Sequence, residues 1–244
     1  VVSDTGDALF QSSALPYLER YVTQSYYLSI GYAVPAALGV ALAAPQARTW
    51  CFVGDGAFQV TAQELSTIVR QRIPMVIVLL NNDVRVTPGW ISRLVYHARG
   101  KKVGLVGPVT NSIGNESKID IFYDPENVQD LEDHAAAYTY VHWGETLDLR
   151  NIAAFAWLKS RLLYKQLGGL DERFGRGLFE DDDYCVRVKR RGLKILCAED
   201  VFVHHYGGAS TNWGSPEYMQ LFNANKEKFE QKWGITWIPH QLRK

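Results

Sequence analysis

Over the first third of the chain, short apolar runs bounded by Gly, Asp or Asn alternate with helix-period patterns, which predicts a parallel α/β sheet. Thr49 to Val53 reads as a buried strand that ends in Gly54-Asp55-Gly56. Thr61 and Glu64 have the spacing of a capping box, and Leu65, Ile68, Val69 and Ile73 follow at helical intervals. Pro74 closes that helix. Met75 to Leu80 is an unbroken apolar run, suited to a central parallel strand covered on both faces.

Beyond Asp83 the rhythm loosens. Pro88-Gly89 is a turn ahead of an amphipathic helix through Trp90, Leu94 and Val95, and Val103 to Val106 predicts another strand. Residues 111–150 are polar and weakly periodic, a long excursion expected to hold one helix. Glu180-Asp181-Asp182-Asp183 opens a helix that ends at Gly192. Lys194 to Ala198 and Val201 to His205 read as two short strands. Ser215-Pro216 is an N-cap and N1 pair for a last helix that would bury Leu221, Phe222, Phe229 and Trp233.

Composition narrows the function classes. The 244 residues carry 26 basic and 26 acidic side chains, so net charge gives no reason to expect binding to nucleic acid or to an anionic membrane. Lys189-Arg190-Arg191 is read as a solvated helix end. The weakly polar stretch from Ile30 to Pro45 is broken by Gly31, Pro35 and Gly39 and is too short to span a bilayer. The first residues show neither a basic segment nor a signal-type apolar core, which predicts a cytoplasmic location. Cys51, Cys185 and Cys197 lack metal-ligand spacing and are expected to be small buried hydrophobes in a reducing compartment.

Gly54-Asp55-Gly56 and Asn81-Asn82 fall at the carboxyl ends of two strands joined by one helix, where α/β sheets bind ligands. Asp and Asn oxygens suit Mg²⁺, glycines admit phosphate oxygens to the backbone, and the helix start favours an anion. Three segments carry a resemblance: Val2 to Phe10 (VSDTGDALF), Tyr26 to Gly39 (YYLSIGYAVPAALG) and Gly54 to Arg70. Together they resemble the cofactor-binding domain of pyruvate and indolepyruvate decarboxylases over residues 1–82. The resemblance implies that Gly54, Asp55, Gly56 and Asn82 bind thiamine diphosphate, with Asp55 and Asn82 on its Mg²⁺. In that family the activating glutamate comes from a separate pyrimidine-binding domain, and Asp83-Val84-Arg85 replaces the family's continuation. Decarboxylase turnover is therefore not expected.

Leu80 to Trp90 (LNNDVRVTPGW) resembles the metal-binding segment of family 2 glycosyltransferases. Gly104 to Asn115, Leu167 to Gly175, Phe179 to Arg187 and Cys197 to Ser210 resemble later segments of the same family, in order, over residues 78–240. The resemblance implies a GT-A fold with Asp83 on Mn²⁺ or Mg²⁺. It also implies Asp181 as catalytic base with Glu180 beside it, and His204 or His205 near the metal or diphosphate. His204 and His205 are expected on opposite faces of their strand. Trp90, Trp213, Trp233 and Trp237 are expected to pack rather than to serve as sugar platforms, though Trp213 lies in a Gly-rich loop able to cover the acceptor, with Gly207-Gly208 as its hinge.

The expected fold class is α/β, a Rossmann-like, mostly parallel sheet with helices on both faces and a GT-A-like C-terminal part. Residues 1–82 and 83–244 are expected to share one continuous sheet. The leading expectation for function is a metal-dependent inverting glycosyltransferase acting on a nucleotide-sugar donor and an unidentified acceptor, impaired by its replaced N-terminal half. A thiamine diphosphate and Mg²⁺ binder related to decarboxylases is the second reading, and an inactive recombinant or engineered chimera the third.

Overall fold

The computed structural model describes residues 1–13, 15, 20–80, 83–175, 177–207 and 214–243, without the side chains of Asp7, Asp55, Leu79, Leu80 and Arg161. Asn81, Asn82, Gly208 and Trp213, and the side chain of Asp55, lie outside that description. The chain divides into two compact units, residues 1–84 and 85–244.

The N-terminal unit runs β1 (Val2–Ser3), α1 (Asp7–Ser13), β2 (Val22–Thr23), α2 (Ala33–Ala43), β3 (Thr49–Gly54), α3 (Asp55–Thr61), α4 (Glu64–Arg70) and β4 (Met75–Leu80). Its strands lie in the order β2-β1-β3-β4, and every pairing is parallel. The register runs Thr49 to Met75 through Gly54 to Leu80, so the two long strands end together. Neighbouring residues Cys51, Phe52 and Val53 are all buried, which requires cover on both faces of β3. On one face, Ala33, Val34, Ala37 and Ala41 of α2 meet Val2, Cys51 and Val53. Alanine at three of these four positions lets the helix axis approach the sheet closely.

One local reading is corrected here. Thr61 does not cap a helix; it ends α3, and its hydroxyl donates to the Gly31 carbonyl at 3.1 Å. The helix after it starts at Glu64 with Gln63 as an N-cap that makes no side-chain bond. The hydroxyl was drawn to a carbonyl distant in sequence, a partner that local spacing cannot reveal.

The C-terminal unit runs from β5 (Val84–Val86) through α5 (Trp90–Ala98), β6 (Val103–Val109), α6 (Val128–Val141), β7 (Thr146–Asp148), β8 (Leu158–Lys159) and α7 (Arg161–Leu167). It closes with α8 (Glu180–Arg190), β9 (Lys194–His205) and α9 (Pro216–Trp233). The second sheet has the order β5-β9-β6-β8, with β7 also on β9. Strands β6 and β9 are parallel, while β8 and β7 join antiparallel. The expected single continuous sheet is therefore not what these strands form. Among the described residues β4 pairs with β3, and β6 pairs with β8 and β9.

The two strands expected at 194–198 and 201–205 are one. Its pairing with β6 steps from Pro108 opposite Ala198 to Val109 opposite Phe202, so a bulge takes up Glu199, Asp200 and Val201. Those carboxylates looked like a strand break, yet both are buried and paired. Asp200 meets His97 at 2.7 Å, and Glu199 takes both ends of the Arg243 guanidinium at 2.7 and 2.8 Å. Ser215 caps α9 as expected, accepting from Tyr218 N–H at 3.1 Å with Pro216 behind it. Among the described residues no helix is long and apolar enough to cross a membrane.

Helix α8 lies so close to β6 that a methyl group on Gly104 would sit 2.5 Å from Val188 Cγ1. Gly104→Ala is expected to cost about 1–3 kcal/mol through overpacking, read as a lower urea midpoint with an unchanged slope. An unchanged midpoint would mean that α8 moves aside freely.

Candidate functional site

The N-terminal sheet has a direction change built into its order. From β1 the chain steps outward to β2, returns past β1 to β3 and continues to β4. Between β1 and β3 the crossovers leave on opposite sides, which opens a crevice beyond the strand ends. At that point Asp4-Thr5-Gly6 follows β1 as a loop, and Gly54-Asp55-Gly56 carries β3 directly into α3. Gly54 is extended (φ −70, ψ 158), and the chain turns into α3 at Asp55. A Cβ built on Gly6 or Gly56 would meet no atom within 4 Å. Backbone on both sides of the crevice is thus open to close approach by a ligand.

Asp4 organises the floor of this edge, a role its position in the sequence did not announce. The residue is fully buried. Its Oδ1 accepts from Thr5 N–H at 3.0 Å and Gly31 N–H at 3.2 Å, and its Oδ2 accepts from Ala33 N–H at 2.8 Å. Gly31 and Ala33 lie at the start of α2, whose N-cap residue Tyr32 makes no side-chain cap, so Asp4 replaces that cap from a distant strand end. The same carboxylate acts on Cys51. Burial first, and the Asp4 charge second, push that thiol up to about 12, which leaves it protonated and unreactive.

Gly31 is the hinge of the arrangement. Its φ is +85, and a Cβ there would lie 2.8 Å from Val60 Cγ1. Loop 31–33 is thus pressed on α3 from one side and held by Asp4 from the other. Gly31→Ala is expected to lower the melting temperature by several degrees, since left-handed backbone and a steric clash together cost about 1–3 kcal/mol. A melting temperature within one degree of the parent's would contradict the close approach.

Other residues singled out from the sequence sit in the C-terminal unit. Glu180, Asp181, Asp182 and Asp183 form the first turn of α8, as expected. Asp183 is buried against Arg187 Nε at 2.9 Å, Lys232 and Trp233 Nε1 at 3.0 Å, so it is a structural charge. Asp182 takes His240 Nε2 at 3.2 Å and Asn151 Nδ2 at 3.3 Å. Burial, then the charges of Asp182 and Glu180, push Asp181 up to about 7, and burial also raises Glu180.

His204 and His205 part company, as strand alternation requires. His204 is buried, its Nδ1 lies 2.5 Å from the Tyr123 hydroxyl, and burial followed by the charges of His205 and Arg85 lowers it to about 4. His205 stacks on Phe155 at 5.2 Å, and its Nδ1 meets the Ser112 carbonyl at 2.7 Å. Both histidines therefore make structural contacts. Among the described residues no three His, Cys, Asp or Glu side chains gather in a way that would hold a metal ion.

Residues 4–112 match a thiamine-enzyme family. The family's description is "Thiamine pyrophosphate enzyme, C-terminal TPP binding domain", and the match covers less than half of the chain. The chain is 43% identical over 82 residues to a probable pyruvate decarboxylase, Pdc101, of Schizosaccharomyces pombe, covering 33% of this chain and 14% of that protein. It is 46% identical over 138 residues to pyruvate decarboxylase 3 of Arabidopsis thaliana, covering 53% of this chain and 22% of that one. An alpha-keto-acid decarboxylase of Mycobacterium avium is 44% identical over 85 residues, 34% of this chain and 15% of its own length. The chain thus spans only 14–22% of the length of these curated relatives. A solved structure described as GalNAc-T7 with UDP, GalNAc and Mn²⁺ is 14% identical with a TM-score of 0.41, over 68% of this chain and 35% of that one, too distant to carry an argument.

These findings correct two expectations. The glycosyltransferase reading of function fails, because the matched family and the curated relatives are thiamine enzymes and decarboxylases. The expectation that decarboxylation is improbable fails for the same reason, and Mn²⁺ as cofactor loses its support. That reading rested on the resemblance of five segments over residues 78–240, among them the acidic turn at 180–183, whose spacing suits a helix start as well as a catalytic base.

The residues described at the crevice fit a diphosphate with its cation. Open glycine backbone lies on both sides, the crevice is at the switch point of a parallel sheet, and the residue following Gly54 is an aspartate, a hard oxygen donor of the kind Mg²⁺ takes.

Proposed function

We propose that the N-terminal unit is the diphosphate-binding segment of a thiamine-diphosphate-dependent decarboxylase that acts on a 2-oxo acid. The observation that carries this reading is the coincidence of the 4–112 family match with Gly54-Asp55-Gly56 at the switch point of the sheet. Asp55 and Asn82 would hold Mg²⁺, and the backbone at Gly54 and Gly56 would face the diphosphate oxygens. Thiamine diphosphate, when bound, supplies the carbanion and the electron sink that decarboxylation needs.

The chain's own part is binding and positioning. Asp4 fixes the loop that enters α2 and so sets the wall opposite α3. Gly31 keeps that wall tight against Val60. Cys51, held protonated within β3, cannot compete for the cation as a thiolate. The 2-oxo acid itself and the completion of the reaction centre belong to the whole enzyme; the chain covers 14–22% of the length of the curated relatives named above.

Thermal melting tests the reading. With Mg²⁺ and thiamine diphosphate at about 100 times the dissociation constant, linkage adds about 2.7 kcal/mol to the folded state, a rise of several degrees. The rise is expected to require both ligands and to vanish in Asp55→Ala. Stabilisation that persists in that variant would place the cation elsewhere.

A further inference from the structure

We propose that the C-terminal unit binds a free amino acid with an aromatic side chain, in a cavity between residues 118–122 and helix α6. The cavity has a volume of about 610 Å³, within the roughly 300–1,000 Å³ of small-molecule sites. One wall is the segment that runs on from the bridge between Thr110 and Lys118. Along it Ile119, Ile121 and Tyr123 pack on the core, whereas Lys118, Asp120 and Phe122 line the cavity. That period of two sets a cation, an anion and an aromatic ring in succession on one face.

The facing wall is a second stripe of α6. Leu131 and Ala135 of this helix are buried, while His134, Ala137, Tyr138, Val141 and His142 line the cavity at the spacing of one helix face. The tail at Leu242 and Arg243 makes the third wall, and it is pinned: Glu199 takes both ends of the Arg243 guanidinium, and the Glu116 carbonyl accepts from its Nε at 3.1 Å. Exposed apolar side chains scattered singly are ordinary on a surface. Here Phe122, Val141 and Leu242, exposed by 87%, 71% and 55%, come from three separate segments and meet at one cavity. None of them joins the buried core.

Charge selects the ligand. Arg243 is neutralised by Glu199, the Tyr138 hydroxyl donates to the same carboxylate at 3.2 Å, and His142 meets Glu145 at 2.8 Å. Burial lowers His134, so its ring is neutral at pH 7. Lys118 and Asp120 remain, and among the described residues neither has an ion-pair partner. Two residues of extended chain span about 7 Å, a distance that one small zwitterion bridges with its carboxylate on Lys118 and its ammonium on Asp120. A purely anionic or purely cationic ligand would satisfy one of these charges and face the like charge of the other. The side chain then lies among Phe122, Tyr138, Val141 and Leu242, where a ring both buries apolar area and meets other rings.

Calorimetric titration of L-phenylalanine into the intact chain tests the proposal. Saturable binding with a dissociation constant of about 1 mM or tighter is expected, and L-alanine, which has no ring, is expected not to bind. Phenylpropionate lacks the ammonium and phenethylamine lacks the carboxylate; each is expected to bind weaker by about tenfold or more. Lys118→Met is expected to weaken phenylalanine by about tenfold and to leave phenethylamine no weaker, and Asp120→Asn to weaken phenylalanine alike and leave phenylpropionate no weaker. A general loss of structure would not divide the two half-ligands in this way. Ala137→Trp fills the cavity from an exposed helix position and is expected to abolish binding with the melting temperature kept. No saturation by phenylalanine below about 10 mM, equal affinity for phenylalanine and phenylpropionate, or binding undiminished in Ala137→Trp overturns the proposal.

Discussion

Asp4→Ala is expected to cost the N-terminal unit about 3–5 kcal/mol, because hydrogen bonds to a charged group are worth about 1.5–3 kcal/mol each and the variant strands buried donors. Three backbone N–H groups, those of Thr5, Gly31 and Ala33, lose their acceptor together. Water cannot replace it without opening the edge, since Asp4, Ala33 and Gly31 are all buried. A domain's whole stability is about 5–15 kcal/mol, so the loss is a large share of it. Asp4→Asn, which keeps one acceptor oxygen, is expected to fall between. Urea unfolding gives the magnitude, and amide hydrogen exchange at Gly31 and Ala33 gives the place. A variant that melts like the parent, with those amides still protected, would mean that the loop is held by packing alone.

Asp181→Asn is expected to stabilise the C-terminal unit at pH 8 and to leave it unchanged at pH 3. An ordinary aspartate titrates near 3.9. In the folded chain burial, and then Asp182 and Glu180, push Asp181 up to about 7. Between those values the folded state holds more protons than the unfolded one, so stability falls as pH rises and levels off above about 7. The full displacement corresponds to about 4 kcal/mol; a half-buried carboxylate is screened by water, and the expected gain at pH 8 is about 1–2 kcal/mol. The neutral amide can still accept from Asp182 N–H, which now bonds Asp181 Oδ1 at 2.8 Å. Urea midpoints at pH 3 and 8 decide the matter. A variant less stable than the parent at pH 8 would make Asp181 a favourable charge.

What the sequence made legible follows from the range of the forces involved. Strands made of unbroken apolar runs were readable because burial on both faces leaves no polar positions; Met75 to Leu80 is β4 residue for residue. The Ser215-Pro216 start of α9 was readable because capping is local. Contacts far apart in sequence were not. Thr61 turned from an expected cap to the Gly31 carbonyl, thirty residues away. Asp4 reaches donors 27 and 29 residues on, and in the sequence it stood out only as part of the Val2 to Phe10 segment. The bulge in β9 hid one strand as two, since Glu199 and Asp200 find Arg243 and His97 only in the fold.

The candidate site was half legible. Gly54-Asp55-Gly56 declared itself through residue type and position at a strand end, and the switch point where it lies became visible only with the order β2-β1-β3-β4. The acidic turn of α8 misled because four carboxylates together suggest chemistry. In the structure Asp183 is neutralised by Arg187 and Lys232, and Asp182 is engaged by His240 and Asn151. Catalytic and structural carboxylates share one letter in the sequence; their partners separate them.

The most direct measurement of the central claim is a calorimetric titration of thiamine diphosphate into the chain with and without Mg²⁺, repeated on Asp55→Ala and Asp83→Ala. Saturable binding that needs Mg²⁺, falls at least tenfold in Asp55→Ala and survives in Asp83→Ala is the predicted result. Absence of binding to the folded parent chain, or binding indifferent to Mg²⁺ and to Asp55, would contradict it.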